Sequence, residues 1–282
     1  MTLRNRKKIN WLERNLPEGL LVTASWLEQQ GFSSSLRSQY VTSGWLEQPA
    51  RGVFRRTRGS LRWEQVVISL QTLLEFPVVV GGRTALELQG YAHYLFREQK
   101  EVHLYSLNSP PNWLSRLPLD VRFAFHKTSR LFPTDSPSRG LADLNWNMKE
   151  RRSSIEDPFS GDMVIQTWGQ WDWPLLISAP ERAILELLDE LPDYESFHQV
   201  DMLMEGLVNL SPRRLQRLLE DCKSIKVKRL FFFFADRHYQ PWFERMELSR
   251  IDLGKGKRML VRGGKFDKKY QITVPEDLDA YQ

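Results

Sequence analysis

Within its first 56 residues the chain carries two short helical runs, each opened by a hydroxyl side chain and closed by a glycine, followed by an arginine-rich hairpin. That punctuation leaves few folds open. Thr23 stands at an N-cap position and Gly31 at a stop, so 24–30 reads as a short helix. Trp26 and Leu27 are its apolar part, and Phe32 turns inward after it. Ser33 caps the next helix, which runs to about Ser43 and halts at Gly44. Leu36 and Tyr40, four apart, mark its inner face, with Val41 beside them. Ahead of both, 5–15 reads as a first helix with Ile9, Trp11 and Leu12 inward. Leu16-Pro17-Glu18-Gly19 breaks it, because proline lacks the amide hydrogen and glycine favours turns. Leu20, Leu21 and Val22 enter a further element. After Gly44, two strand-like runs in 45–56 flank a Pro/Gly turn with Arg51 at its tip. In this order the elements spell a winged helix-turn-helix, whose third helix enters the major groove of DNA while the wing reaches phosphate or the minor groove. The competing reading is a small helical cap with solvent-facing arginines.

The outer face of the third helix carries Ser34, Ser35, Arg37, Ser38 and Gln39, with no acid among them. A solvated helix ordinarily carries Glu or Asp; an acid-free hydrogen-bonding face suits phosphates and base edges. These five are expected at base edges or nearby phosphates. Arg51, Arg55 and Arg56 are expected to serve the wing, and Lys7 and Lys8 to add backbone contact.

Charge is segregated along the chain. Residues 1–62 are net +7, 63–222 net −8, 223–269 net +9 and 270–282 net −3. Basic segments attract phosphate by releasing counterions, although a solvated surface carries the same letters. The second basic segment includes Lys226, Lys228, Arg229, Lys255, Lys257, Arg258, Lys265, Lys268 and Lys269. It suits nucleic acid, an acidic protein surface or plain solvent.

Length and composition fit two domains with a packed core, since 282 residues exceed the usual single domain and 41% are hydrophobic. The expected division is a winged helix over 1–62, with a boundary that extends to about 95 at most, and a mixed domain over 63–282. A lone cysteine, Cys222, excludes an internal disulfide and a cysteine-based metal cluster. The five histidines show no ligand spacing, so no metal or cofactor is expected. No apolar run reaches a membrane span and no secretion signal is visible, so a cytoplasmic location without a membrane partner is expected.

Beyond residue 60, apolar periodicity predicts helices over 61–76 and 84–96 and strands over 78–80, 102–107 and 121–127. Residues 133–157, rich in Pro, Ser, Arg and Gly near their start, read as a surface loop. Three tryptophans in 168–173 are expected in core or interface. Ser178-Ala179-Pro180-Glu181 opens a helix to about Leu191, with Ser178 near the cap. Two more helices follow over 198–210 and 211–222. The apolar run 230–235 suits a buried strand, although the pattern over 225–234 also fits a helix start. The class is α+β.

The chain resembles the AbiEi family of antitoxins of bacterial type IV toxin–antitoxin systems. The likeness lies in GWLEQPARGVFRR (44–56), VGGRTALELQGYAHYL (80–95), LISAPERAILELLDELP (176–192), KVKRLFFFFADRHYQPWFERM (226–246) and IDLGKGKRMLVRGGKFDKKYQITVP (251–275), in that order and spacing. The resemblance implies an N-terminal domain that binds inverted repeats in its own promoter DNA and represses the operon. It also implies a C-terminal domain that counters a neighbouring nucleotidyltransferase-like toxin, with no need for direct contact.

An enzyme is the rival class. Gly254-Lys255-Gly256-Lys257-Arg258 lacks the spacing of a phosphate loop. Glu98-Gln99-Lys100 ahead of a strand hints at a metal-dependent nuclease but has no partner acid in place. No nucleophile elbow or dinucleotide fingerprint appears. No catalytic residue is therefore assigned. A winged-helix transcription factor with a ligand-sensing C-terminal domain remains as a third reading.

Overall fold

A computed structural model describes residues 3–56, 59–91, 100–132 and 161–279. The expected loop over 133–157, His93, and Glu98-Gln99 lie outside the described residues.

The N-terminal part runs α1 (Leu3–Asn15), β1 (Leu21–Thr23), α2 (Ala24–Gln29), α3 (Ser34–Thr42), β2 (Glu47–Ala50) and β3 (Val53–Arg55). The strands form an antiparallel sheet in the order β1-β3-β2. This is the winged helix-turn-helix arrangement. Strand β1, three residues long, is too short to show an alternating pattern.

Local chemistry sets both helix boundaries. Thr23 Oγ1 accepts the Trp26 amide (3.2 Å) and Ser33 Oγ accepts the Leu36 amide (3.3 Å). Gly31 (φ 76°) and Gly44 (φ 75°) close them in the left-handed region. The Gly31 amide donates to Glu28 O and the Phe32 amide to Leu27 O (2.8 and 2.9 Å). Gly44 and Trp45 repeat the pattern on Val41 O and Tyr40 O (3.1 and 2.9 Å). Each stop is thus a Schellman turn. The first one swings Phe32 into a small core with Ile9, Leu12, Leu16, Val22, Leu27, Tyr40, Leu46 and Phe54.

The larger part centres on a mixed five-stranded sheet. Its strands are β4 (Val78–Val80), β5 (Glu101–Ser106), β6 (Arg122–Lys127), β7 (Met163–Trp168) and β8 (Trp173–Ser178), in the order β6-β5-β4-β8-β7. β4 pairs parallel with β8 and β5 with β6; the other two pairings are antiparallel. Helices α4 (Trp63–Gln71), α5 (Gly82–Leu88), α6 (Pro180–Asp189), α7 (Phe197–Gly206), α8 (Pro212–Asp221) and α9 (Ile225–Arg237) pack around it. α6 lies at the centre, touching α5, α7, α8, α9 and β8. Inside it, Glu186 accepts from Arg182 Nε, Ser178 Oγ and the Gly82 amide, so one fully buried carboxylate ties α6 to the sheet and to α5. A short hairpin, β9 (Lys265–Asp267) with β10 (Ile272–Val274), follows α9.

The run 230–235 is helical, inside α9, and the strand expectation is corrected. Ser224 caps α9 by accepting the Val227 amide (3.3 Å). The helix reads as continuously apolar because Leu230, Phe231, Phe232, Phe234 and Ala235 are all buried. The cap of α6 is Ala179 rather than Ser178, with Pro180 first in the helix. The tryptophan cluster is the β7–β8 hairpin. Trp173 is buried, Trp168 packs beneath Arg62 (5.2 Å), and Trp171 at the tip is 49% exposed, against expectation.

Helix α4 joins the two parts. All nine of its residues are buried, and it meets both β1 and β8. Ser69 Oγ accepts the Leu21 amide at 2.7 Å. The Gln71 amide donates to Val78 O and Leu176 O and accepts from the Leu176 amide, bridging β4 and β8.

Candidate nucleic-acid interface

Helix α3 is held from below and left open above. Tyr40 and Leu36 face the small core, where Tyr40 meets Phe32 edge-on at 6.1 Å and burial raises its hydroxyl pKa. On the outer side Ser34, Ser35, Ser38 and Gln39 are exposed, as expected from their positions. Thr42, one turn beyond Ser38, extends the same stripe, and its hydroxyl donates to Ser38 O (3.1 Å). Sequence reading missed Thr42, although its i+4 spacing from Ser38 was the available signal. Near the start of the helix the Ser33 and Ser35 hydroxyls lie 3.1 Å apart. The stripe is acid-free along its length, and the positive end of α3 sits at its serine-rich start, which favours a phosphate there.

Arg37 does not belong to that stripe. It is 7% exposed and donates to Phe32 O (2.8 Å) and Glu28 Oε1 (2.7 Å), with its guanidinium over the Phe54 ring at 5.9 Å. It clamps α3 to α2, and the expectation of base contact is corrected on that ground: its donors face inward and are engaged.

The wing divides the same way. Arg51, at the β2–β3 turn, is exposed. Arg55 is 3% exposed and donates to Glu47 Oε2 (2.8 Å) and Gly59 O (2.9 Å), so it fastens the hairpin rather than reaching outward. Arg56 donates to the carbonyls of Leu16 and Glu13 (3.1 and 3.3 Å) and pairs with Glu18 (3.2 Å). It caps the C-terminal end of α1, where a cation meets unpaired carbonyls and the negative helix pole. Lys8 donates to Gln30 O (2.7 Å) and lies over the Phe32 ring at 4.6 Å, bracing the α2–α3 turn. Lys7 is exposed. The open set is therefore Lys7, Ser34, Ser35, Ser38, Gln39, Thr42 and Arg51.

The C-terminal basic residues also separate. Lys226 donates to Leu191 O (2.8 Å) beyond the end of α6 and pairs with Asp189, while Lys228 is buried. Arg229 donates to Leu253 O, Gly256 O and Gln271 O (2.7, 2.7 and 3.2 Å), pinning the terminal hairpin from beneath. These three have structural roles. Lys255, Lys257, Arg258, Lys265, Lys268 and Lys269 are exposed. Among them Lys257 lies over the Phe266 ring (5.0 Å) and Lys269 pairs with Asp236 (2.6 Å).

Among the described residues no helix is long and apolar enough to cross a membrane, and no group of three or more His, Cys, Asp or Glu is placed to hold a metal ion.

Comparison with known proteins follows the same division. The whole fold is similar to the crystal structure of the RV2827C protein from Mycobacterium tuberculosis. The TM-score is 0.56 at 16% identity, covering 96% of this chain and 91% of that one. No curated protein matches the chain. Residues 5–96 match the family model described as the N-terminal domain of the AbiEi antitoxin transcriptional regulator. Residues 99–275 match the model described as a transcriptional regulator, AbiEi antitoxin, of a type IV toxin–antitoxin system. With nearly its whole length matched, the chain belongs to the AbiEi antitoxin family of transcriptional regulators.

Proposed function

We propose that the protein binds inverted repeats in its own promoter through α3 and the wing tip and so represses its operon. Residues 1–62 form the DNA-reading unit, and 63–282 carry the activity that counters a nucleotidyltransferase-like toxin. The observation that supports DNA reading most is the exposed, acid-free stripe Ser35, Ser38, Gln39 and Thr42 on α3, with Arg51 exposed at the wing tip. Hydroxyl and amide side chains on a helix face read base edges, and an exposed arginine on a wing neutralises phosphate. The antitoxin half rests on family membership.

Two variants test the DNA half. Ser38→Ala combined with Gln39→Ala is expected to cost about 1–3 kcal/mol on the operator and little on unrelated DNA. Arg51→Ala is expected to weaken both and to reduce the salt slope of binding by about one. Operator affinity unchanged in a gel shift of the combined Ser38/Gln39/Arg51 variant overturns the interface. Growth rescue by full-length protein co-expressed with the adjacent toxin gene tests the second half.

A further inference from the structure

The five-stranded sheet ends on β6, and that edge is open. The Arg122 amide donates to Lys100 O on the β5 side (2.8 Å). Main-chain groups alternate between the two edges of a strand. Those of Ala124 and His126 therefore also face β5, and those of Phe123 and Phe125 face away from it. Among the described residues nothing hydrogen-bonds to the amide or carbonyl of either phenylalanine. Edge strands are ordinarily short, bulged or charged along their length, because bare amides and carbonyls template another strand. β6 is six residues long, with Arg122 and Lys127 only at its ends and Phe-Ala-Phe, half-buried, between them.

Both faces beside the edge carry a depression. Phe123 and Phe125 share one face, where with Leu117, Leu119 and Val121 they line a groove of about 610 Å³. Arg122, Ala124 and His126 share the other. There Ala124 and His126 line a cleft of about 470 Å³ with three carboxylates, Glu101, Asp189 and Glu190, against two cations, Lys127 and Arg130. The first face is apolar and the second has a surplus of acid.

A second copy of the chain supplies what both faces lack. An antiparallel strand related by a two-fold axis normal to the sheet pairs residues that share a face, so the axis falls on a residue. With the axis at Ala124, Phe123 of each copy lies opposite Phe125 of the other. Both carry their main-chain groups on the open edge, so each such pair exchanges both N–H···O bonds, and the four rings meet between the two apolar grooves. On the other face Arg122, 85% exposed and 3.6 Å from Glu101, lies opposite His126 of the second copy. His126 Nδ1 stands 2.9 Å from Glu190 Oε1, so each copy lends a guanidinium to the acid-rich cleft of the other. An axis at Phe125 instead sets Lys127 against Phe123 and carries Arg122 past the end of the strand. The Ala124 register is the one in which both faces match.

We propose that two copies of the protein pair edge to edge through β6, antiparallel about Ala124, into one continuous sheet. An inverted repeat has the same two-fold symmetry, but the pairing does not rest on DNA reading by α3 and is measured without DNA.

Sedimentation velocity of the full-length protein, over about 1–100 µM, is expected to show a monomer–dimer equilibrium. Ala124→Glu sets two carboxylates against each other on the axis and is expected to weaken dimerisation at least about tenfold. Ala124→Cys is the conservative companion. Opposed residues of a pair without hydrogen bonds have Cα atoms about 4.5 Å apart, within disulfide reach, so mild oxidation is expected to link two chains through it. The wild type, whose one cysteine, Cys222, is buried, is expected to stay unlinked. A wild-type chain monomeric throughout that range, a dimer unaffected by Ala124→Glu, or Ala124→Cys left unlinked overturns the proposal.

Discussion

Arginine letters in this chain have two fates, and only burial separates them. Arg51 stands at a hairpin tip and stays exposed. Arg37 occupies the third helix among exposed serines, yet its long side chain turns under the helix to Phe32 O and Glu28. The sequence pattern placed Arg37 on the outer face with the serines, and the Phe32 carbonyl and the Glu28 carboxylate decided its direction. Arg37→Ala is thus expected to lower stability by about 2–3 kcal/mol, through lost charge-assisted hydrogen bonds and the carbonyl left bare. Urea unfolding monitored by tryptophan fluorescence measures this. A stable Arg37→Ala protein that has lost operator discrimination reverses the assignment and returns Arg37 to the base-reading set. His103 gives a second residue-scale expectation. Its folded pKa of about 4 lies below the usual histidine value, so between the two the unfolded chain binds more protons. Stability falls as pH drops from about 6.5 toward 4. The charged and titratable groups that face it are His126, Glu190 and Arg83, with Tyr105 beside it on β5. His103→Phe is expected to flatten that stretch of the urea-midpoint profile relative to wild type. An identical slope in the variant removes the link.

At the scale of elements, legibility followed the chemistry of ends. The two helices of the turn motif were readable nearly to the residue, because hydroxyl caps and positive-φ glycines act within a few residues of sequence. α9 was not, because a helix buried on several sides loses its periodicity and its phenylalanines look like a strand. The pair β7 and β8 escaped for a related reason: β8 is buried in every residue, so no alternation marks it. The His103–His126 pair was invisible too, since only parallel pairing of β5 with β6 brings residues 23 apart in sequence into contact. The turn between α2 and α3 carries its own test. Gly31 at φ 76° adopts a conformation that costs an alanine about 1 kcal/mol, and an added Cβ would approach Lys8 Nζ at 2.9 Å. Gly31→Ala is expected to destabilise by about 1–2 kcal/mol and to weaken operator binding in proportion, because the angle between the two helices is set there. Gly44, with nothing within 4 Å of an added Cβ, carries only the backbone term. Equal or greater loss in Gly44→Ala, measured by thermal melts of both variants, contradicts a bracing role for Lys8 at the turn.

For the molecule as a whole, the winged helix is legible as a sequence unit but is not closed off from the rest. Its own core is small, and four of its buried residues, Leu20, Leu21, Ala50 and Val53, belong instead to the large core that runs through α4 to β8. Burying a leucine or valine is worth about 1.5–3 kcal/mol, so removing the cover from three such side chains costs several kcal/mol. A domain of this size has roughly 5–15 kcal/mol in total, and small domains sit at the lower end. The Leu21 amide also loses Ser69 Oγ, a partner fully buried with it. A fragment of residues 1–62 is therefore expected to unfold at a midpoint well below that of the N-terminal part in the full chain, and to bind operator more weakly even at equal concentration. A fragment extended through α4 and α5, residues 1–91, restores the cover from α4 but not from β8, and is expected to fall between the two. Circular-dichroism melts of the three proteins order them. A 1–62 fragment as stable as the full chain shows that α4 is a linker rather than a shared wall, and that the winged helix moves independently of the rest of the chain.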